Sequence, residues 1–139
     1  MRLEHPVTEV EFGGAGKSVV VLFNEEEYRP FVGWVFVPEG EGYKRLELPE
    51  AQFPVGTEVK AVFPANADRD PEPELLIICE QISGVGKPPG NITPYCNAYV
   101  YDLTGDNIAH LRGVGIDLEP EETNCTAGQI RRRLKRLGY

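Results

Sequence analysis

Five consecutive residues, Leu75-Leu76-Ile77-Ile78-Cys79, are apolar with no polar residue between them. A run this short reads as a strand, and a strand apolar at every position is covered on both faces. It belongs in the interior of a sheet. Other strands surround it in the sequence. Val7-Thr8-Glu9-Val10-Glu11-Phe12 alternates apolar and polar, as a half-buried strand does. Residues 18–23, 31–37, 43–48, 58–63 and 98–103 are further short runs rich in β-branched or aromatic side chains. Residues 108–116 make a weaker eighth, interrupted by Gly113 and Gly115. The 15 glycines and 12 prolines are scattered between these runs, where they mark turns. Short links between the first four strands predict an antiparallel meander.

The period changes at the end of the chain. Thr126 and Gln129 have capping-box spacing, and Ile130, Leu134 and Leu137 recur at i, i+4 and i+7. Gly138 is a natural stop. The spacing predicts a helix over 127–137, laid on the sheet by its apolar stripe. The expected fold is α+β: one domain over residues 1–139, mostly antiparallel β, with seven or eight strands in a sandwich or open barrel and one C-terminal helix.

Charge narrows the partners. The net charge is −8. Residues 131–139 carry five Lys/Arg and no acid, so residues 1–130 hold all 22 acids against nine Lys/Arg, a net of −13. An acidic body repels phosphate backbones, which argues against a nucleic-acid partner. The basic helix residues read as a solvated face that offsets this body. No apolar run approaches the ~20 residues of a membrane span. Residues 1–10 include Glu4, His5, Pro6 and Glu9, which form no signal-peptide core. The three cysteines are Cys79, Cys96 and Cys125. One bridge plus a thiol, or three thiols, fit an odd count. Cys79 closes an apolar run and reads as a small buried side chain. If a bridge exists, a hairpin that brings Cys79 to Cys96 makes that the expected pair.

Gly13-Gly14-Ala15-Gly16-Lys17-Ser18 imitates a phosphate-binding loop. The first glycine of that motif would fall on Glu11, a carboxylate facing phosphate. The residues that follow, Val19-Val20-Val21, favour a strand, so the helix N-terminus that such a site relies on is missing. The segment is expected to be a hairpin turn. Cysteine and histidine spacing fits no zinc site. With His5 and His110 as the sole imidazoles, no nucleophile and base pair stands out. No catalytic residue is assigned.

One segment does carry chemistry. Residues 66–75 read Asn66-Ala67-Asp68-Arg69-Asp70-Pro71-Glu72-Pro73-Glu74-Leu75, between two apolar strands. Calcium takes six to eight oxygens, and a calcium loop offers them from alternate positions 1, 3, 5, 7 and 9. Counted from Asn66 these are Asn66, Asp68, Asp70, Glu72 and Glu74, the expected ligands of Ca²⁺. Carboxylates crowded in this way repel each other without a counter-ion.

The segment resembles the D-x-D-G-D-G-x-x-D-L loop of FG-GAP and VCBS-type repeats, in which an Asp-rich turn joins two strands. Glu74 stands where that loop has its last Asp, and Leu75 closes it. The stretch Ala98-Tyr99-Val100-Tyr101-Asp102-Leu103-Thr104-Gly105 resembles the strand and turn that follow such a loop in a group of small bacterial secreted domains. The resemblance covers about residues 58–108. It implies calcium binding and a periplasmic or extracellular address, and some of that group are similar to lysozyme inhibitors and immunity proteins. Two positions depart from the pattern. Asn66 replaces an Asp, and Pro71 replaces a Gly that turns with φ > 0, which Pro cannot adopt. Either the loop takes another path, or a rigid turn remains without the metal.

The first functional expectation is a non-enzymatic binding module, calcium-stabilised or not, with a protein partner. The contact falls on the long Gly/Pro-rich loop over residues 83–94 and beside it, at Val85, Lys87, Asn91 and Tyr95. Blocking the cleft of an envelope hydrolase is a second expectation. A hydrolase working through Asp68, Asp70 or Asp102 is a third.

Overall fold

The computed structural model describes residues 2–14, 16–24, 31–49, 57–83, 93–104, 107–114 and 126–139. The β-branched runs become two successive antiparallel meanders. In the first, β1 (Arg2–Leu3) and β2 (Thr8–Glu11) pair with β3 (Lys17–Asn24), followed by β4 (Val32–Glu39) and β5 (Gly42–Glu47). Leu3 lies opposite Phe23 and Val10 opposite Ser18, so β1 and β2 form one broken edge along β3. The second sheet runs β6 (Glu58–Ala65), β7 (Glu74–Ser83), β8 (Thr93–Thr104), β9 (Asn107–His110) in chain order. With the broken edge counted once, eight strands form two sheets, each four strands wide.

The central strand behaves as its composition requires. Leu75, Ile77 and Cys79 point to a cluster shared with Val20, Leu22 and Val35 of the first sheet. Leu76 and Ile78 point the other way, into a cluster with Phe63, Val100, Ile130 and Leu134. All five residues of the run are fully buried. Burial of each such side chain contributes about 1.5–3 kcal/mol. The second sheet is thus a middle layer, with the first sheet on one face and the terminal helix α1 (Ala127–Arg136) on the other.

α1 starts where the capping pattern places it. The Thr126 hydroxyl accepts from the Gln129 N–H at 3.2 Å. The reciprocal half of the box is not made, since Gln129 Oε1 is buried with no partner. At the other end Gly138, at φ 89°, breaks the helix, and its N–H donates to the Lys135 carbonyl.

Three expectations are corrected. The eighth run does not continue to 116: β9 ends at His110, and residues 112–114 are helical. The Leu111 N–H still reaches the Val100 carbonyl at 2.8 Å, after which the chain turns away. The supposed loop over 83–94 is shorter, because β7 runs to Ser83 and β8 begins at Thr93. Polar residues hid these strand ends. Gln81 is 4 % exposed yet satisfied: its Nε2 donates to Thr57 Oγ1 (3.3 Å) and Tyr99 Oη (3.0 Å), and its Oε1 accepts from Asn97 Nδ2. The Cys79–Cys96 bridge does not form. Register sets Cys79 opposite Asn97 and Cys96 opposite Glu80, so the two thiols leave opposite faces of the sheet. Cys79 keeps its thiol, and burial pushes it far above the usual thiol range. Cys96 is disulfide-bonded, to a partner outside the described residues.

Candidate metal centre

The segment 66–73 links β6 to β7, and short side-chain bonds fix its path. Asp68 Oδ1 accepts from the Asp70 N–H (3.0 Å), and Asp70 Oδ1 accepts from the Glu72 N–H (2.9 Å). Asn66 accepts from the Arg69 N–H (3.2 Å) and donates to the Asp70 carbonyl (2.6 Å). Each is a side chain bonding a nearby backbone group, the device by which Asp and Asn build turns. The left-handed residue is Arg69, at φ 68°, the one non-glycine with positive φ among the described residues. Pro71 therefore does not have to make the sharp turn. The position that does is three after Asn66.

The β2–β3 turn supports this loop from outside. The Gly13 N–H donates to the Pro73 carbonyl at 2.9 Å. A Cβ on Gly14, which has φ 68°, would collide with the Glu72 carboxylate. The glycines that imitate a phosphate loop thus have a structural reason. They bring one turn against another, in a hairpin where Glu11 lies opposite Lys17.

Strand register then adds a fourth acid. Leu75 pairs with Tyr101, which sets Glu74 and Asp102 side by side on the helix-facing side of the sheet. One oxygen from each of Asp68, Asp70, Glu74 and Asp102 lies within 4.8 Å of the others. Of the five expected ligands, the structure brings Asp68, Asp70 and Glu74 together. Asn66 instead bonds loop backbone, and Glu72 leans on Gly14. Asp102 was absent from the expected ligand set because it lies 28 residues beyond Glu74. Its signal was an acid following Ala98 and Val100 on one strand face, a position otherwise apolar.

Glu74 is the anomalous member. It is fully buried. Its Oε2 accepts from the Ala67 N–H at 2.5 Å, while among the described residues no N–H or hydroxyl reaches Oε1, and the carboxyl's remaining neighbour is the Asp68 carboxylate. Burial, then the proton it can share with Asp68, then the charges of Asp68 and Asp70, push its carboxyl up to about 8. Burial also opposes ionisation of Asp68. Hydrogen bonds from Glu74 and from the Asp70 amide outweigh it and hold Asp68 below the usual carboxylate range. Asp102 is raised, by burial first and then by the charges of Asp68 and Asp70. Among the described residues none of the four acids is ion-paired to a Lys or Arg. A proton or a cation is what the arrangement can accept.

Val85, Lys87 and Asn91 lie outside the described residues, and Tyr95 stands on β8 with 40 % of its surface exposed. Among the described residues no helix is long and apolar enough to cross a membrane. Compared with protein-family models, with curated proteins and with solved structures, the chain matches none.

Proposed function

We propose that this protein is a non-enzymatic binding module whose acidic β6–β7 loop is closed by a hard divalent cation, calcium above all. The observation that carries the reading is Glu74, fully buried, with no donor to Oε1 among the described residues and with one carboxylate oxygen drawn close to those of three other acids. An unpaired buried carboxylate costs several kcal/mol unless something neutralises it. Oxygens about 2.4 Å from a calcium ion lie at most about 4.8 Å apart, and magnesium demands a tighter shell at about 2.1 Å. The four oxygens lie within 4.8 Å of one another, which admits an ion of calcium's size, and calcium tolerates an irregular shell better than magnesium does.

A binding role is favoured over hydrolysis because the most perturbed acid is out of a substrate's reach. Glu74 is fully buried, where a polymeric substrate cannot touch it. Kinship with FG-GAP and VCBS-type loops is supported by Arg69, whose positive φ falls on the first Gly of that pattern. A periplasmic or extracellular address is supported by the disulfide at Cys96, since disulfides persist in oxidising compartments. We read the two sheets as a sandwich, because both feed one core and no ladder joins them among the described residues. A protein partner would meet the end of the β7–β8 hairpin, where Tyr95 is exposed.

Isothermal titration of the chelator-stripped protein tests the cation. One calcium is expected to bind, at least tenfold tighter than magnesium, and Glu74→Gln is expected to lose at least tenfold. No binding of calcium, or equal binding by Glu74→Gln, would overturn the reading.

A further inference from the structure

We propose that the cavity between β6 and α1 is a binding pocket for a small organic anion, one carrying a phosphate or carboxylate head on an apolar body. The cavity has a volume of about 490 Å³. That is the size of a small-molecule site. Its apolar part comes from Pro64, Leu134 and Tyr139, and its charge from Arg131, Arg132 and Lys135. Among the described residues no acidic side chain lines it. Among the described residues none of these three cations is ion-paired.

The geometry favours a ligand over a merely solvated face. Arg131 lies with its guanidinium 4.8 Å over the Phe63 ring, so its side chain is held at the pocket edge. Arg131 and Lys135 are four residues apart on the helix and repel each other, a cost that a bound anion relieves. Guanidinium groups pair with phosphate and carboxylate through two parallel hydrogen bonds. The rest of the chain, net −13 over residues 1–130, repels anions and leaves this segment as the positive ground. The wall opposite the helix is also fixed. Asn66 lines the cavity and is tied into the acidic loop by its bonds to Arg69 and Asp70. Arg69 in turn donates to the Leu137 carbonyl at 3.3 Å and stacks 5.1 Å over Tyr139. Both walls are thus set before any ligand arrives.

The test is an amide-resolved NMR titration at constant ionic strength, in chelator so that it does not depend on the cation reading. The probes are phenyl phosphate, benzoate, inorganic phosphate and phenol. Phenyl phosphate or benzoate is expected to shift Asn66 and residues 131–139, and to bind at least tenfold tighter than inorganic phosphate or phenol. The double change Arg132→Gln with Lys135→Gln is expected to weaken binding at least tenfold. Arg136→Gln removes the same kind of charge from the same helix outside the pocket, and it is expected to change affinity less than twofold. The proposal is overturned if neither organic anion exceeds inorganic phosphate, or if Arg136→Gln weakens binding as much as the pocket pair. Binding to anionic vesicles with no response to either small anion would also overturn it, and would make the patch a membrane contact.

Discussion

Strand β7 buries a polar side chain near each end, and the two are treated differently. Gln81 is 4 % exposed, and both its amide nitrogen and its oxygen are bonded, to Thr57, Tyr99 and Asn97. Glu74 is 0 % exposed, with one oxygen bonded to Ala67 and, among the described residues, no N–H or hydroxyl donor to the other, which leaves Asp68 as its neighbour. Equal burial therefore means different things. A closed network stabilises the fold and needs no further partner. An open one, ringed by like charges, is stable only with a proton or a cation present. Of the two, Glu74 alone belongs to a cluster of acids that can take up a proton or a cation.

The largest expected effect lies at the closed end. Gln81→Ala removes the bonds to Tyr99 and Asn97 on β8 and to Thr57 just before β6, and it is expected to cost about 2–4 kcal/mol. Denaturant unfolding with calcium and with chelator would check it, since the loss should be the same in both. A loss that depends on calcium would erase the distinction between the two ends.

At the open end pH is the probe. Glu74 binds its proton more tightly when folded, at about 8 against an ordinary 4.5. Protons therefore favour the folded state. That contribution is complete below about 4.5 and is lost as pH rises to about 8. Melting of the metal-free protein should fall across this window. Glu74→Gln should flatten the fall and leave the metal-free protein more stable at pH 8 by about 1–3 kcal/mol, since it removes a buried charge. A pH profile indifferent to this change would contradict the assignment.

Asp102 tests whether strand register completes the site. Asp102→Asn is expected to weaken calcium about tenfold, roughly 1.4 kcal/mol, while leaving chelated melting close to the original. The smallest effect is expected at Asn66. Asn66→Ala removes two turn bonds and should cost about 1 kcal/mol, with calcium affinity changed less than threefold. A loss of affinity at Asn66 as large as at Asp102 would return it to the ligand set.

These contrasts also show what the sequence could and could not disclose. The apolar run 75–79, the eight strands and the terminal helix were legible because periodicity and capping are local signals. The strand ends were not, because Gln81 and Asn97 look like loop residues until their partners are seen across the ladder. The acidic loop was legible as a segment, and Asp68, Asp70 and Glu74 do converge. Asp102 was not, because its place depends on a pairing of Leu75 with Tyr101 that spacing cannot reveal. The bridge was misassigned for the same reason. Whether Cys79 and Cys96 share a face is a matter of register.

The most direct test of the central claim is scanning calorimetry at pH 8, with excess calcium and with chelator. A ligand bound only by the folded state, at a hundred times its dissociation constant, stabilises by about 2.7 kcal/mol. For a chain of this size that is a rise of roughly 10 °C. The account predicts that rise for the native protein and at most about half of it for Glu74→Gln at the same calcium concentration. An unchanged melting temperature in calcium and in chelator would contradict it.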